Sequence, residues 1–148
     1  NSCVDITFAN TIATGVVYTL TSTGVEDCSG NDTTSSGMFV LNGPGYFRAL
    51  LFNEIFADPD PQIGLPDAEY LEIYNPTNTA WDLGGWTLHN GGRRVLGSYV
   101  LLPNAYVVLI DEDFDSLFTG IPHLGLSSWP GLTRRRRRGS GPLQGACA

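Results

Sequence analysis

Turn-forming residues between positions 50 and 88 restrict the fold of this chain more than any other feature. Three tetrapeptides there combine proline with glycine, aspartate or asparagine, at positions 58–61, 64–67 and 75–78. Proline removes a backbone hydrogen bond and clashes with the preceding helical turn, so no long helix can run through them. The run at 50–56 is apolar, and the run at 70–74 alternates so that Leu71 and Ile73 share one face. This pattern predicts short β-strands.

Further segments after residue 80 continue the strand pattern. Trp86 and Leu88 share a face, and the Asn-Gly-Gly tripeptide that follows at 90–92 is a hairpin signal, with a return strand at 93–96. Strands are also predicted at 99–102 and 105–110. The last of these is an almost continuous apolar run rich in β-branched residues, which is typical of a central strand buried on both faces.

One short helix and a single core complete the prediction. Asp111 is a candidate N-cap for a helix or helical turn at 112–118, where Phe114, Leu117 and Phe118 are spaced for one apolar face. The predicted core consists of ten side chains, which are Leu51, Ile55, Leu71, Ile73, Leu83, Trp86, Leu88, Leu101, Val107 and Leu109.

Three motifs in this region resemble the lamin tail domain family. They are Asn-Glu-Ile at 53–55, the run DAEYLEIYN at 67–75 and the run WDLGGWTL at 81–88. The likeness covers residues 50–132, and it implies an all-β, immunoglobulin-like β-sandwich. In bacteria such domains often accompany secreted nucleases, phosphoesterases or surface repeats, so the resemblance implies a secreted or cell-surface setting. It implies a fold more firmly than an activity.

The segment before this region is also predicted to be β. Residues 4–8, 16–21 and 38–41 have strand character, and the arrangement at 18–31 resembles the closing strands of bacterial Ig-like surface repeats. We therefore expect residues 1–46 to be the C-terminal strands of a preceding repeat and residues 47–132 to be an incomplete lamin-tail-like domain. The Gly- and Pro-rich residues 42–45 form a short connector between them.

The character of the chain changes at residue 133. Residues 133–148 hold five consecutive arginines followed by a Gly- and Pro-containing run without a strand period, whereas the family resemblance implies at least two more strands. We expect a disordered tail that arose from a reading-frame change or a truncation. The sandwich would then lack its last strands and would expose apolar surface at a sheet edge.

Charge restricts the partners of the folded part. The chain contains no lysine, and before residue 133 three arginines stand against all fifteen acidic residues, a net charge of −12. Such a body repels nucleic acid and anionic membranes. The arginine run at 134–138 is the one segment expected to bind nucleic acid, and it would do so nonspecifically. No membrane span is predicted.

An acidic loop is the candidate metal site. Asp58, Asp60, Asp67 and Glu69 supply hard oxygen ligands at irregular spacing, which suits Ca²⁺. The spacing matches no established calcium loop, however, and the alternative is a solvated turn whose aspartates cap backbone amides. The same two interpretations apply to a second cluster at 27–32.

Other chemistry finds little support. A pair among Glu54, Glu69 and Glu72 could act as general acid and base, but the sequence indicates no substrate cleft. His89 and His123 lack the spacing of a zinc site. Trp81, Trp86 and Trp129 could stack on sugar rings, although most tryptophans in β-sandwiches pack in the core, and Trp129 is expected to be the most exposed of the three.

The three cysteines, Cys3, Cys28 and Cys147, cannot all pair within one chain. A bridge between Cys3 and Cys28 is one interpretation for an extracellular segment, and three unpaired thiols are the other.

The predicted function is noncatalytic. We expect a structural, adhesive or spacer module of a secreted or cell-surface bacterial protein, without a cofactor unless Ca²⁺ binds. Its partners would be neighbouring domains of a larger chain and a surface or carbohydrate ligand. The alternative is an accessory module that targets a linked nuclease or phosphoesterase to nucleic acid, carbohydrate or the envelope.

Overall fold

The computed structural model describes residues 5–62 and 64–132. Within these ranges the fold is all-β, as the sequence predicts. The strands are β1 (Val17–Glu26), β2 (Asp32–Val40), β3 (Leu51–Phe56), β4 (Tyr70–Tyr74), β5 (Trp81–Asp82), β6 (Thr87–His89), β7 (Arg93–Val95), β8 (Val100–Leu101), β9 (Tyr106–Asp111) and β10 (His123–Leu126). None of the helices in the described ranges is long and apolar enough to cross a membrane.

A four-stranded sheet forms one layer of an immunoglobulin-like sandwich. Its strand order is β10-β9-β4-β3, with β9 antiparallel to β4 and parallel to β10. Four successive residues of β9 are buried, which confirms that the apolar run at 105–110 is a central strand covered on both faces.

Two short strand pairs, β5–β8 and β6–β7, pack over the inner face of this sheet. The Asn-Gly-Gly segment joins β6 to β7, and the amide of Asn90 donates to the carbonyl of Gly92 at 3.1 Å, so the hairpin prediction is confirmed. The main core lies between the layers and consists of Leu71, Ile73, Leu83, Leu88, Leu96, Leu101, Val107, Leu109 and Leu126. Trp86 is half-buried against this core.

The core prediction is wrong for Leu51 and Ile55. Ile55 is 62% exposed because β3 is the last strand of the described sheet and the described residues of the second layer do not cover it. Leu51 is 37% exposed because it stands opposite Tyr74 and lies on the outer face. Alternation identifies which face of a strand is apolar, but it does not identify which strand lies at an edge.

The segment at 112–118 is helical, as predicted, but it is a 3₁₀ helix (Glu112–Phe118) whose N-cap Asp111 accepts a hydrogen bond from the amide of Asp113 at 3.2 Å. Only Phe118 is buried, and the predicted shared face with Phe114 and Leu117 is wrong. A 3₁₀ helix has three residues per turn, so positions 114 and 117 share a face and position 118 is turned away from them.

The N-terminal strands form a separate hairpin, β1–β2, whose side chains are almost all exposed. Both strands are longer than predicted, and the loop between them is confined to residues 27–31. Residues 5–8 form no strand, contrary to the prediction for 4–8, since they have no neighbouring strand to pair with. Cys28 is exposed in the loop and forms no disulfide with another described residue. Cys3, Cys147 and the predicted tail at 133–148 lie outside the described residues.

Candidate functional site

An open apolar groove runs along the edge of the main sheet beside β3. Phe52 and Ile55 stand opposite the core residues Ile73 and Leu71 of β4, so their side chains point to the inner face of the sandwich. They are nevertheless 58% and 62% exposed, respectively. The described residues therefore leave the inner face open at this edge.

Two adjoining concavities make up the groove. The first has a volume of about 180 Å³ and lies between β3 and the strand β6, with Phe52, Ile73, Trp86 and Leu88 among its walls. The second, of about 250 Å³, continues the groove, and its lining residues include Ile55. A strand edge presents unpaired backbone groups, and apolar walls beside it accept alternate side chains of an extended segment. This arrangement is suited to the docking of a β-strand.

A bulge in β3 organises this edge. The pairing register between β3 and β4 shifts between Phe52 and Glu54, so Asn53 is the extra residue. The side-chain amide of Asn53 donates to Glu72 Oε1 at 2.6 Å, and Glu72 lies on the outer face, between the inward-facing Leu71 and Ile73. Asn53 and Glu54 are therefore successive residues on the same outer face.

The acidic loop residues are placed in two locations. Asp58 Oδ1 accepts from the amide of Asp60 at 3.3 Å, which is the capping interaction expected of a turn. Glu69 Oε2 accepts from Trp129 Nε1 at 3.0 Å and from the amide of Leu132 at 2.8 Å. Glu69 thus ties the segment after β10 to the start of β4.

A concavity of about 230 Å³ adjoins this tie. Asp67, Glu69 and Asp111 line it together with the rings of Phe114 and Trp129. Trp129 is half-buried, as Trp86 is, whereas Trp81 is only 3% exposed. Within residues 5–62 and 64–132, no group of three or more His, Cys, Asp or Glu side chains is placed to hold a metal ion. Calcium binding by Asp58, Asp60, Asp67 and Glu69 stays a prediction.

The carboxylates considered for acid–base chemistry are not gathered in a cleft. Glu54 and Glu72 are paired neighbours on the outer face of β3 and β4, and Glu69 lies at the other site described above. His123 is 3.7 Å from Asp115 and packs beside Phe118, and His89 is an exposed residue of β6.

Three ionisable groups have shifted pKa values. Burial, with a smaller contribution from Glu54, raises the pKa of Tyr70 to about 12, and burial also raises the pKa of Tyr99. In the hairpin loop, the side-chain amide of Asn31, assisted by backbone amides, lowers the pKa of Asp27. All three shifts stabilise the form present at neutral pH and indicate structural roles.

Sequence reasoning missed the polar centre of the sandwich. Asn75 is fully buried, and its amide group donates to the carbonyls of Thr79, Leu101 and Leu102 at 2.9 to 3.2 Å. Its Oδ1 accepts from the amide and hydroxyl of Thr77. The Asn-Pro signal at this position predicts a turn but does not reveal that the turn is buried.

Asp82 is a second missed residue. Its carboxylate accepts from the amides of Gly84 and Tyr99 and from the hydroxyl of Ser98, at 2.9 to 3.1 Å. Its backbone amide donates to Asn42 Oδ1 at 2.8 Å, and its carbonyl accepts from Asn42 Nδ2 at 2.7 Å. Asp82 thereby links the short strands of the second layer to the connector from the hairpin.

Comparison with known proteins identifies the family. A search of curated proteins finds no match, and a search of solved structures finds none either. The sequence model of the lamin tail domain family matches residues 46–134, well over half of the chain. This family is a non-enzymatic, immunoglobulin-like domain family, in agreement with the sandwich described above. The chain belongs to the lamin tail domain family.

Proposed function

We propose that this chain is a noncatalytic structural, adhesive or spacer module of a secreted or cell-surface bacterial protein. In this function the sandwich holds a preceding Ig-like segment, here the β1–β2 hairpin, at a fixed position relative to the domains that follow. Membership in a non-enzymatic family supports the absence of catalysis. The bacterial setting and the secreted location are part of the proposal.

The junction between the hairpin and the sandwich carries the proposal. The Asn42 side chain makes two hydrogen bonds with the backbone of Asp82, and the amide of Ala80 donates to the carbonyl of Gly15 at 3.0 Å. The ring of Tyr46 packs edge-on against the ring of Trp81, with centroids 5.8 Å apart. These contacts fix the short connector, and a fixed junction is what a spacer requires.

Removal of the Asn42 contacts tests this function. Asn42→Leu keeps the size of the side chain but loses both hydrogen bonds. The hairpin should therefore reorient, and a protease should cleave the connector at 42–45 at least about tenfold faster. The matched control is Asn78→Leu, at an exposed position. Equal cleavage rates in the two variants, or no loss of surface attachment when the module is deleted from its parent protein, would contradict the spacer function.

An accessory carbohydrate-binding function is the second candidate, and the concavity around Trp129 favours it. Aromatic faces and carboxylates are the groups that bind sugar rings and hydroxyls, and here Trp129 and Phe114 lie beside Asp67, Glu69 and Asp111. In such a module, binding of an envelope polysaccharide in the concavity would bring a linked nuclease or phosphoesterase to that polysaccharide.

Tryptophan fluorescence separates this candidate from the spacer. A titration with cell-wall oligosaccharides, with and without Ca²⁺, should shift the emission of the wild-type chain, and Asp67→Asn should weaken the response. Asp60→Asn is the control, because Asp60 does not line the concavity. If the tryptophan emission does not change with or without Ca²⁺, the carbohydrate-binding function is contradicted, and the spacer function is unaffected.

A further inference from the structure

We propose that two copies of this chain associate through antiparallel pairing of their β3 strands, so that the β3 of each copy covers the open groove of the other. The two-fold axis passes between Asn53 and Glu54. This inference goes beyond the spacer function and does not depend on it, since it rests only on the edge strand and the groove.

The edge needed for this pairing is available. In the described part of the chain, β3 pairs only with β4 and forms the end of the four-stranded sheet. Its sequence is Leu-Phe-Asn-Glu-Ile-Phe. Three of its four apolar residues, Phe52, Ile55 and Leu51, are at least 37% exposed. An apolar strand edge of this kind is a template for a further strand.

The chemistry of β3 is self-complementary in one antiparallel register. When Asn53 opposes Glu54 of the other copy, Phe52 opposes Ile55 and Leu51 opposes Phe56. Apolar residues then meet apolar residues, and an amide meets a carboxylate. Shifting the register by two residues toward the N-terminus would place Phe52 opposite Asn53.

Because of the bulge, residues that oppose each other in this register point to the same face of the sheet. Residues directly opposite in an antiparallel pair point to the same face. Phe52 and Ile55 both point inward, whereas Leu51 and Phe56 stand opposite the outward-facing Tyr74 and Tyr70. Asn53 and Glu54 both lie on the outer face because the bulge adds one residue between Phe52 and Ile55. Without the bulge, Phe52 and Ile55 would lie on opposite faces of the strand, and the faces would not match in this register.

The groove gains a cover in this arrangement. The added strand lies one strand spacing, about 4.8 Å, beyond β3, which is where the inner walls are open. Its inward-facing Phe52 and Ile55 then lie over Leu88 and the neighbouring groove walls. Burial of apolar surface that the isolated copy leaves in water drives the association.

Charge opposes the association in a way that can be measured. Residues 1–132 carry a net charge of −12, and Glu54 and Glu72 of both copies lie near the two-fold axis. Added salt should therefore tighten this dimer. Association through the arginine run at 134–138 and an acidic body would instead weaken as salt rises. The direction of the salt effect separates the two modes.

Sedimentation equilibrium of the full chain is the first test. The wild-type chain should be dimeric at micromolar to millimolar concentration. Ile55→Lys should raise the dissociation constant at least tenfold, and Glu54→Gln should lower it by about two- to fivefold. Ile55→Thr, which retains a β-branched side chain, guards against a folding defect. Val95→Lys is the matched control at a similarly exposed position, 60%, that lines neither concavity of the groove.

Disulfide trapping tests the register. In a background with Cys3, Cys28 and Cys147 changed to serine, one chain carries Phe52→Cys and a second carries Ile55→Cys. Opposite residues lie about 5 Å apart, within disulfide reach, whereas identical positions would be offset by about 10 Å along the strands. Mixing the two chains should give a crosslinked heterodimer, and neither chain alone should crosslink.

Each contrary outcome overturns the proposal. A chain that stays monomeric at millimolar concentration has no β3–β3 dimer, and a dimer that Ile55→Lys leaves intact uses another surface. Crosslinking of Phe52→Cys with itself would demonstrate a different register, and a dimer that weakens with salt would indicate the arginine run.

Discussion

The N-terminal hairpin and the central strands of the sandwich use the same backbone pairing with opposite results. β1 and β2 are joined over eight residue pairs, whereas β4 and β9 are joined over five. The side chains of the hairpin are nevertheless mostly exposed, and those of β4 and β9 are mostly buried. Pairing satisfies the backbone in both regions, but only a second layer removes side chains from water.

Polar anchors show the same contrast. Asp27 organises the hairpin loop by accepting from the amides of Ser29 and Asn31 at 2.8 and 2.9 Å, in full contact with solvent. Asn75 organises its turn by a comparable number of bonds at 0% exposure. Water can replace the bonds in the loop but not those in the core, so the two anchors should differ greatly in their effect on stability.

The largest effect is expected for Asn75→Ala. This substitution leaves the carbonyls of Leu101 and Leu102 and the amide of Thr77 without their side-chain partner inside the sandwich, at about 1–3 kcal/mol for each group left unsatisfied. The free energy of unfolding should fall by more than about 3 kcal/mol in a urea titration followed by tryptophan fluorescence. Asn31→Ala in the hairpin loop is the matched change, with an expected loss below about 1 kcal/mol. Equal losses of unfolding free energy in the two variants would contradict the difference between the buried and the exposed polar residue.

Truncation of leucines should give the next largest difference. Leu109→Ala creates a cavity at a position with 0% exposure and should cost about 2–5 kcal/mol. Leu20→Ala on the hairpin, 42% exposed, should change stability by no more than about 0.5 kcal/mol. The comparison uses thermal unfolding of both variants, and a large cost at Leu20 would show that a further layer covers the hairpin in solution.

Alkaline pH should act on the sandwich through Tyr70. The folded pKa of about 12 lies above the ordinary value of 10.0, so the protonated phenol stabilises the fold fully below pH 10. This stability should be lost as the pH rises from 10 to 12. Stopped-flow absorbance at 295 nm should show a delayed tyrosine titration that coincides with unfolding, and Tyr70→Phe should reduce its amplitude while the contribution of Tyr99, whose pKa is also raised, remains. A single tyrosine titration near pH 10 would contradict this assignment.

The smallest effect is expected at the hairpin loop in acid. The pKa of Asp27 is lowered from 3.8, chiefly by Asn31, so its bonds are present above that value and are lost as the pH falls through the lowered pKa. The protection factors of the Ser29 and Asn31 amides against hydrogen exchange should fall over that range, and Asp27→Ala should lack this protection at every pH. The unfolding midpoint of the sandwich should not move.

The comparison explains which predictions from the sequence are correct. Leu71 and Ile73 are buried as predicted, because their strand has neighbours on both sides and a layer above it. Ile55 has equal apolar character and lies in a strand of the same sheet, yet it is exposed because β3 has a neighbour on one side only among the described strands. Similarly, the acidic residues predicted as one loop separate into a turn at Asp58 and a tie at Glu69.

The sequence alone determined the all-β class, the hairpin at 90–92, the central strand at 105–110 and the N-cap at Asp111, because periodicity and turn chemistry are local properties of the chain. The tertiary structure decided what depends on distant neighbours. It placed β3 at the edge of the described sheet, bonded the buried Asn75 to carbonyls 26 and 27 residues away, and joined Asn42 to Asp82 across 40 residues. Burial and edge position depend on how layers stack, and no local pattern encodes that arrangement.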